Sequence, residues 1–187
     1  LNKRILTMRI FTLLLILNCC WSAAFSQVDS TEYPALKIGE WQEHLPWQRS
    51  VYVSQSDSKI YFATEWAVVE IDKADRSPEF ITKVEGLSDV GINLLRYNKA
   101  AKALVISYTN SNLDLYYPAD GSVLNLPFIQ KNPNIIGDKA IYDIFFSEKI
   151  AYFACGFGML KFDVESAEAE YTVFTNVPVQ STALFGG

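Results

Sequence analysis

The sequence predicts an all-β fold: a partial β-propeller of about three four-stranded antiparallel blades plus an N-terminal closing strand. Three observations predict it. The composition favours strands, with 12 Phe and 10 Tyr among abundant Val and Ile. A strand–turn–strand pattern recurs along the chain. No stretch combines a helical period with caps at its ends.

The recurring pattern is carried by Ile60–Asp72 (IYFATEWAVVEID), Leu104–Tyr116 (LVISYTNSNLDLY) and Ala151–Asp163 (AYFACGFGMLKFD). Each reads as a strand, a polar or glycine-containing turn and a second alternating strand. Aligned without gaps, the three place a small residue at one turn position: Ala67, Ser111 and Gly158. The segments start 44 and 47 residues apart, close to the roughly 40–50 residues of one propeller blade.

The flanking strands complete each unit. Val51–Ser54 precedes the first pair and Glu79–Lys83 follows it; Ile92–Tyr97 and Val123–Phe128 flank the second; Ile141–Phe146 and Glu170–Thr175 flank the third. Turn chemistry joins them at Gln55–Ser58, Pro118–Gly121 and Ser147–Lys149. A lone four-stranded sheet cannot bury both faces, so such units must stack around an axis. A complete ring takes at least about four blades. The expected layout is a signal peptide at 1–26, a linker at 27–36 and an incomplete propeller at 37–187. Its blades fall at about 50–85, 91–130 and 140–176, and a further blade starts at 181–187. Lys37–His44 precedes the first blade as Glu79–Asp89 precedes the second, so it is expected to be the outer strand of the last blade, and the chain a fragment of a longer protein.

Export is expected from the first residues. Lys3, Arg4 and Arg9 precede an apolar run from Ile10 to Trp21, and Ala24-Phe25-Ser26 supplies small residues for cleavage between Ser26 and Gln27. The run is shorter than the roughly 20 apolar residues of a membrane span, and Met8–Ser26 is a complete signal by itself. Cys19 and Cys20 suggest a lipid anchor, but Asn18 stands where a small residue is needed. Cys155 is then the sole mature cysteine, so no intramolecular disulfide holds the fold. Removing residues 1–26 takes away three basic residues and no acidic one, leaving 13 basic against 21 acidic residues. So acidic a surface excludes nucleic acid as an expected partner.

With the repeat in view, Gly86-Leu87-Ser88-Asp89-Val90 and the strand after it resemble the blade junction of two-component-regulator propellers. The chain more closely resembles the PorZ-like propellers of the type IX secretion system in Bacteroidota. That resemblance rests on Trp41–Trp47 (WQEHLPW), Ile60–Asp72, the run from Gly86 through Leu113, Pro127–Asn132 (PFIQKN) and Cys155–Gly158 (CGFG). It implies a parent protein with two large propellers and a C-terminal sorting domain, exported to the periplasm and then held at the outer-membrane surface. Its implied partners are a sortase, an outer-membrane shuttle barrel and an anchoring protein. The implied role is to bind anionic lipopolysaccharide and present it to the sortase, with no cofactor and no catalysis.

The residues themselves offer little chemistry. His44 is the only histidine and no nucleophile motif accompanies it. Too few Cys and His ligands remain for zinc, and Asp114, Asp120 and Gly121 do not match a calcium loop. The carboxylates Asp72 and Asp75, and Glu165, Glu168 and Glu170, read as turn and edge residues that block edge-to-edge pairing. Gly156-Phe157-Gly158 is a tight turn, not a phosphate loop. Trp41, Trp47 and Trp66 are candidates for stacking on sugar rings, against the plainer reading that they fill wedges between blades. An anionic ligand would need a local basic cluster, for which Lys37, Arg49 and Lys59 are candidates. The expectation is a non-enzymatic binding and assembly module. A glycan-sensing propeller of a hybrid two-component receptor and a propeller hydrolase or lyase acting on polysaccharide stand as alternatives.

Overall fold

The computed structural model describes residues 49–183, Asn176 apart. The expected signal peptide, the linker and the closing strand at Lys37–His44 lie outside the described residues, as does the end of the further blade expected at 181–187.

Within the described residues, three antiparallel four-stranded sheets follow one another as meanders. The first contains β1 (Tyr52–Gln55), β2 (Lys59–Ala63), β3 (Val68–Asp72) and β4 (Pro78–Ile81). In the second are β5 (Ile92–Asn98), β6 (Ala103–Tyr108), β7 (Leu113–Tyr117) and β8 (Ser122–Asn125). The third holds β9 (Ile141–Ser147), β10 (Ile150–Cys155), β11 (Gly158–Asp163) and β12 (Glu168–Phe174). The first strand of each sheet is the inner one: β1 lies against β5, and β5 against β9. This is a run of propeller blades, as the repeat predicts.

Alternation along each strand decides what packs where, because successive side chains point to opposite faces. Tyr61, Ala63 and Val68 of the first blade meet Leu95, Leu104 and Ile106 of the second in one core cluster. The opposite face of the second blade, with Val105, Leu113 and Leu115, meets Phe153, Leu160 and Phe162 of the third. The middle blade is therefore apolar on both faces, and β6 is buried at every position. Fully burying each such side chain contributes about 1.5–3 kcal/mol, which no blade could gain alone.

Two differences from the sequence reading have physical causes. The fourth strand of the second blade ends at Asn125, not Phe128, and a four-residue helix, α1 (Phe128–Lys131), follows it. Pro127 cannot donate to a strand ladder and instead sits at the start of α1. The second difference is one extra residue in a hairpin. Thr64 and Ala67 close a two-residue turn in the first blade, and Cys155 and Gly158 do so in the third. In the second blade Tyr108 bonds Asn112 across three residues, with Ser111 in the left-handed region at φ 67°. Ser111 is thus part of the loop, and β7 is shifted by one residue relative to β3 and β11. In consequence Asp114 faces Ile106 in the register where Val69 faces Phe62 and Leu160 faces Phe153.

Candidate functional site

The extra hairpin residue places a carboxylate where the other blades carry aliphatic side chains. Asp114 is wholly buried. Its Oδ2 accepts the backbone N–H of Ser88 at 2.8 Å and the hydroxyl of Tyr108 at 2.6 Å, and its Oδ1 accepts Nδ2 of Asn125 at 2.9 Å. Desolvation and the adjacent Asp114 push the Tyr108 hydroxyl far up, so it stays a proton donor. Ser88 belongs to the junction Gly86–Val90 that links the first blade to the second. Beyond it, the N–H groups of Gly91 and Ile92 both reach the carbonyl of Glu65 in the β2–β3 hairpin, at 2.6 and 3.1 Å. The junction is thereby fixed at both ends.

That hairpin carries Trp66 at its tip. Thr64 Oγ1 accepts the N–H groups of Trp66 and Ala67, each at 3.2 Å, which fixes the turn. Trp66 is 44% exposed and lines a hollow of about 80 Å³ with Arg49, Thr64 and Glu65. The hollow is too small to enclose a ligand of ordinary size, for which about 300 Å³ is the lower bound. Trp66 offers an open aromatic platform flanked by a guanidinium and a carboxylate. Trp41, Trp47 and His44, the cleavage residues Ser26 and Gln27, and Lys37 lie outside the described residues. Arg49 and Lys59 are not brought together: Arg49 lies beside the β2–β3 hairpin, whereas Lys59 sits at the opposite end of β2 and is ion-paired with the buried Glu70.

Near the propeller axis the three inner strands share one polar bridge. Arg96 on β5 donates through Nη2 to the hydroxyl of Tyr52 on β1, at 3.1 Å, and to Oδ1 of Asp143 on β9, at 2.8 Å. Its guanidinium also lies 5.9 Å from the Tyr52 ring centroid. Asn98, fully buried, reaches the carbonyl of Glu148 in the third blade at 2.8 Å. These contacts set one blade against the next.

Of the acidic residues singled out as acid–base candidates, Asp72 and Asp75 are occupied in turns, Glu165 and Glu170 are ion-paired, and Glu168 lies exposed at the start of β12. Asp75 accepts both the N–H and the hydroxyl of Ser77, and Asp120 binds Ser122 in the same way one blade later. Those hydrogen bonds hold both carboxyls below their usual range. Asp72 caps the N–H of Ala74, and Asp163 caps those of Glu165 and Ser166. Glu165 pairs with Lys149 and Glu170 with Lys161. Among the described residues, no three His, Cys, Asp or Glu side chains converge as a metal site would require.

The family model for the N-terminal β-propeller domain of PorZ, a component of the type IX secretion system, matches residues 60–187. The chain belongs to this PorZ propeller family. Among solved structures it is similar to PorZ of Porphyromonas gingivalis, described as an essential bacterial surface component of that system. The two are 26% identical with a TM-score of 0.60, and the match covers 66% of this chain and 16% of that one. This chain therefore spans about a sixth of the solved PorZ. The WD40 repeats of RRP9 are 11% identical at TM-score 0.53, covering 65% of this chain and 37% of theirs. The extracellular domain of BT4673 from B. thetaiotaomicron is 11% identical at TM-score 0.52, covering 66% and 17%. These last two show the fold alone. No curated protein matches the chain.

The bond from the Ser88 N–H to Asp114 gives the junction motif a physical role. Gly86–Val90 is legible in the sequence as a signature, whereas its anchor, Asp114, stands out there only as an acidic residue that does not fit a calcium loop. Nor does the sequence reading single out Arg96. A lone arginine in the apolar inner strand Ile92–Asn98 is the signal that could have found it.

Proposed function

We propose that this chain is part of a non-enzymatic binding and assembly module of the type IX secretion attachment complex, whose parent protein presents anionic lipopolysaccharide to the sortase. The match to the PorZ propeller family over residues 60–187 carries this reading. The rigidity of the scaffold supports it: three blades are locked by two apolar clusters and by the Arg96 bridge, leaving loops at both ends to make contacts. The turn-bound carboxylates agree with a role in binding rather than in acid–base catalysis.

Under this reading the outer-membrane shuttle barrel and the sortase are protein partners of the parent. Of the three tryptophans singled out for stacking on a sugar ring, Trp66 lies among the described residues, exposed beside Arg49 and Glu65. The parent is exported and acts at the outer-membrane surface.

A chromosomal deletion tests the proposal. Loss of the parent should leave type IX cargo without its lipopolysaccharide modification and released from the cell surface. Normal attachment of cargo in the deletion strain would refute it.

A further inference from the structure

A second site lies at the end of the blades away from Trp66. A cleft of about 400 Å³ opens between the first two blades, lined by Gln55, Ser56, Asp57, Lys73, Tyr97 and Lys99. The cleft is within the size range of small-molecule sites. The turn after β1, the turn after β3 and the end of β5 bring these residues together. Tyr97 is held by its ring, stacked on the buried Tyr61 with centroids 5.7 Å apart, and by its N–H, which bonds Ser54 Oγ at 2.9 Å.

The charge is unusual for this chain. Its formal net charge is −5, yet the cleft carries two ammonium groups against one carboxylate. Lys73 donates to Gln55 Oε1 at 3.0 Å and to the Ser56 carbonyl at 2.6 Å, which positions its ammonium and leaves one of its three N–H bonds unspent. Lys99 donates to Asp57 at 2.8 Å, leaving two. The cleft thus has surplus positive charge, three unspent ammonium donors, the Gln55 amide and an aromatic wall.

We propose that the Lys73–Lys99 cleft binds a small ligand bearing a carboxylate or phosphate group. The anion is held between the two ammonium groups, and the rest of the ligand lies against Tyr97. This inference stands on the cleft's own chemistry and is independent of the assembly reading.

Isothermal titration calorimetry of the full chain with inorganic phosphate, succinate, glucose 6-phosphate and glucose tests it. At least one of the three anions should bind, and neutral glucose should not. The double variant Lys73→Met/Lys99→Met should weaken that anion at least tenfold, while the Lys83→Met/Lys102→Met control, outside the cleft, should leave it unchanged. Tighter binding of glucose 6-phosphate than of inorganic phosphate identifies a phosphate ester; preference for succinate identifies a carboxylate. No binding of any anion, or equal weakening by the control pair, overturns the proposal.

Discussion

The backbone N–H of Ser88 donates to the carboxylate of Asp114 at 2.8 Å, tying the junction between two blades to the third strand of the second. This contact gives the Gly86–Val90 motif a mechanical meaning. Asp114→Ala would leave the Ser88 N–H and the Tyr108 hydroxyl without their acceptor inside the fold, whereas the Asn125 amide keeps Asn112 Oδ1 and the Leu113 carbonyl. Each stranded group costs about 1–3 kcal/mol. Urea denaturation should show a loss of at least about 2 kcal/mol, and Tyr108→Phe a smaller one of about 1 kcal/mol.

The third blade depends on a glycine for a different reason. Gly158 has φ 140°, and a Cβ there would overlap the carbonyl oxygen of Val173 on the neighbouring strand. Gly121 has φ 72° but open space around it. Gly158→Ala should therefore destabilise by more than about 2 kcal/mol, against about 1 kcal/mol for Gly121→Ala. Paired melting curves of the two variants check the ordering.

Alkaline pH should unfold the chain through its buried tyrosines. Burial pushes the Tyr61 hydroxyl up to about 12 from its ordinary 10. The folded state then holds this proton more tightly than the unfolded state. The associated stability is complete below about pH 10 and is lost as pH rises from there through about 12. Tyrosinate absorbance should rise together with unfolding in that window. A free titration near pH 10 with the fold intact would contradict this.

Cys155 should be chemically silent in the native protein. It is fully buried, and desolvation pushes its thiol up to about 12. Iodoacetamide at pH 8 followed by peptide mapping should find Cys155 unmodified until denaturant is added.

The trailing face of the third blade predicts self-association of the chain. Phe145, Tyr152 and Met159 line an apolar slot of about 430 Å³ with Val179 and Thr182, and Tyr171 and Val173 are exposed on the same face. The corresponding face of the middle blade is sealed by the third. Light scattering should show a mass that grows with concentration, and Met159→Glu should reduce it. A monodisperse monomer at all concentrations would count against this.

How much was legible in the sequence depended on the kind of signal. Strand alternation and turn residues mark all twelve strands of the described residues to within a few positions, because period and turn chemistry are local. The register of β7 was not legible. The extra residue in the Tyr108–Asn112 hairpin leaves no mark in the repeat, whose three segments match in length, so the burial of Asp114 has no signal in the sequence. The Arg96 bridge and the Lys73–Lys99 cleft escaped for a related reason. Each joins residues more than 20 positions apart in sequence, which only the packing of one blade on the next brings together.

The assembly reading faces its most direct test in one affinity measurement. The full-length parent protein, immobilised, should retain the type IX sortase and purified anionic lipopolysaccharide, and Trp66→Ala should reduce lipopolysaccharide retention. Retention of neither ligand by a folded parent would contradict the account.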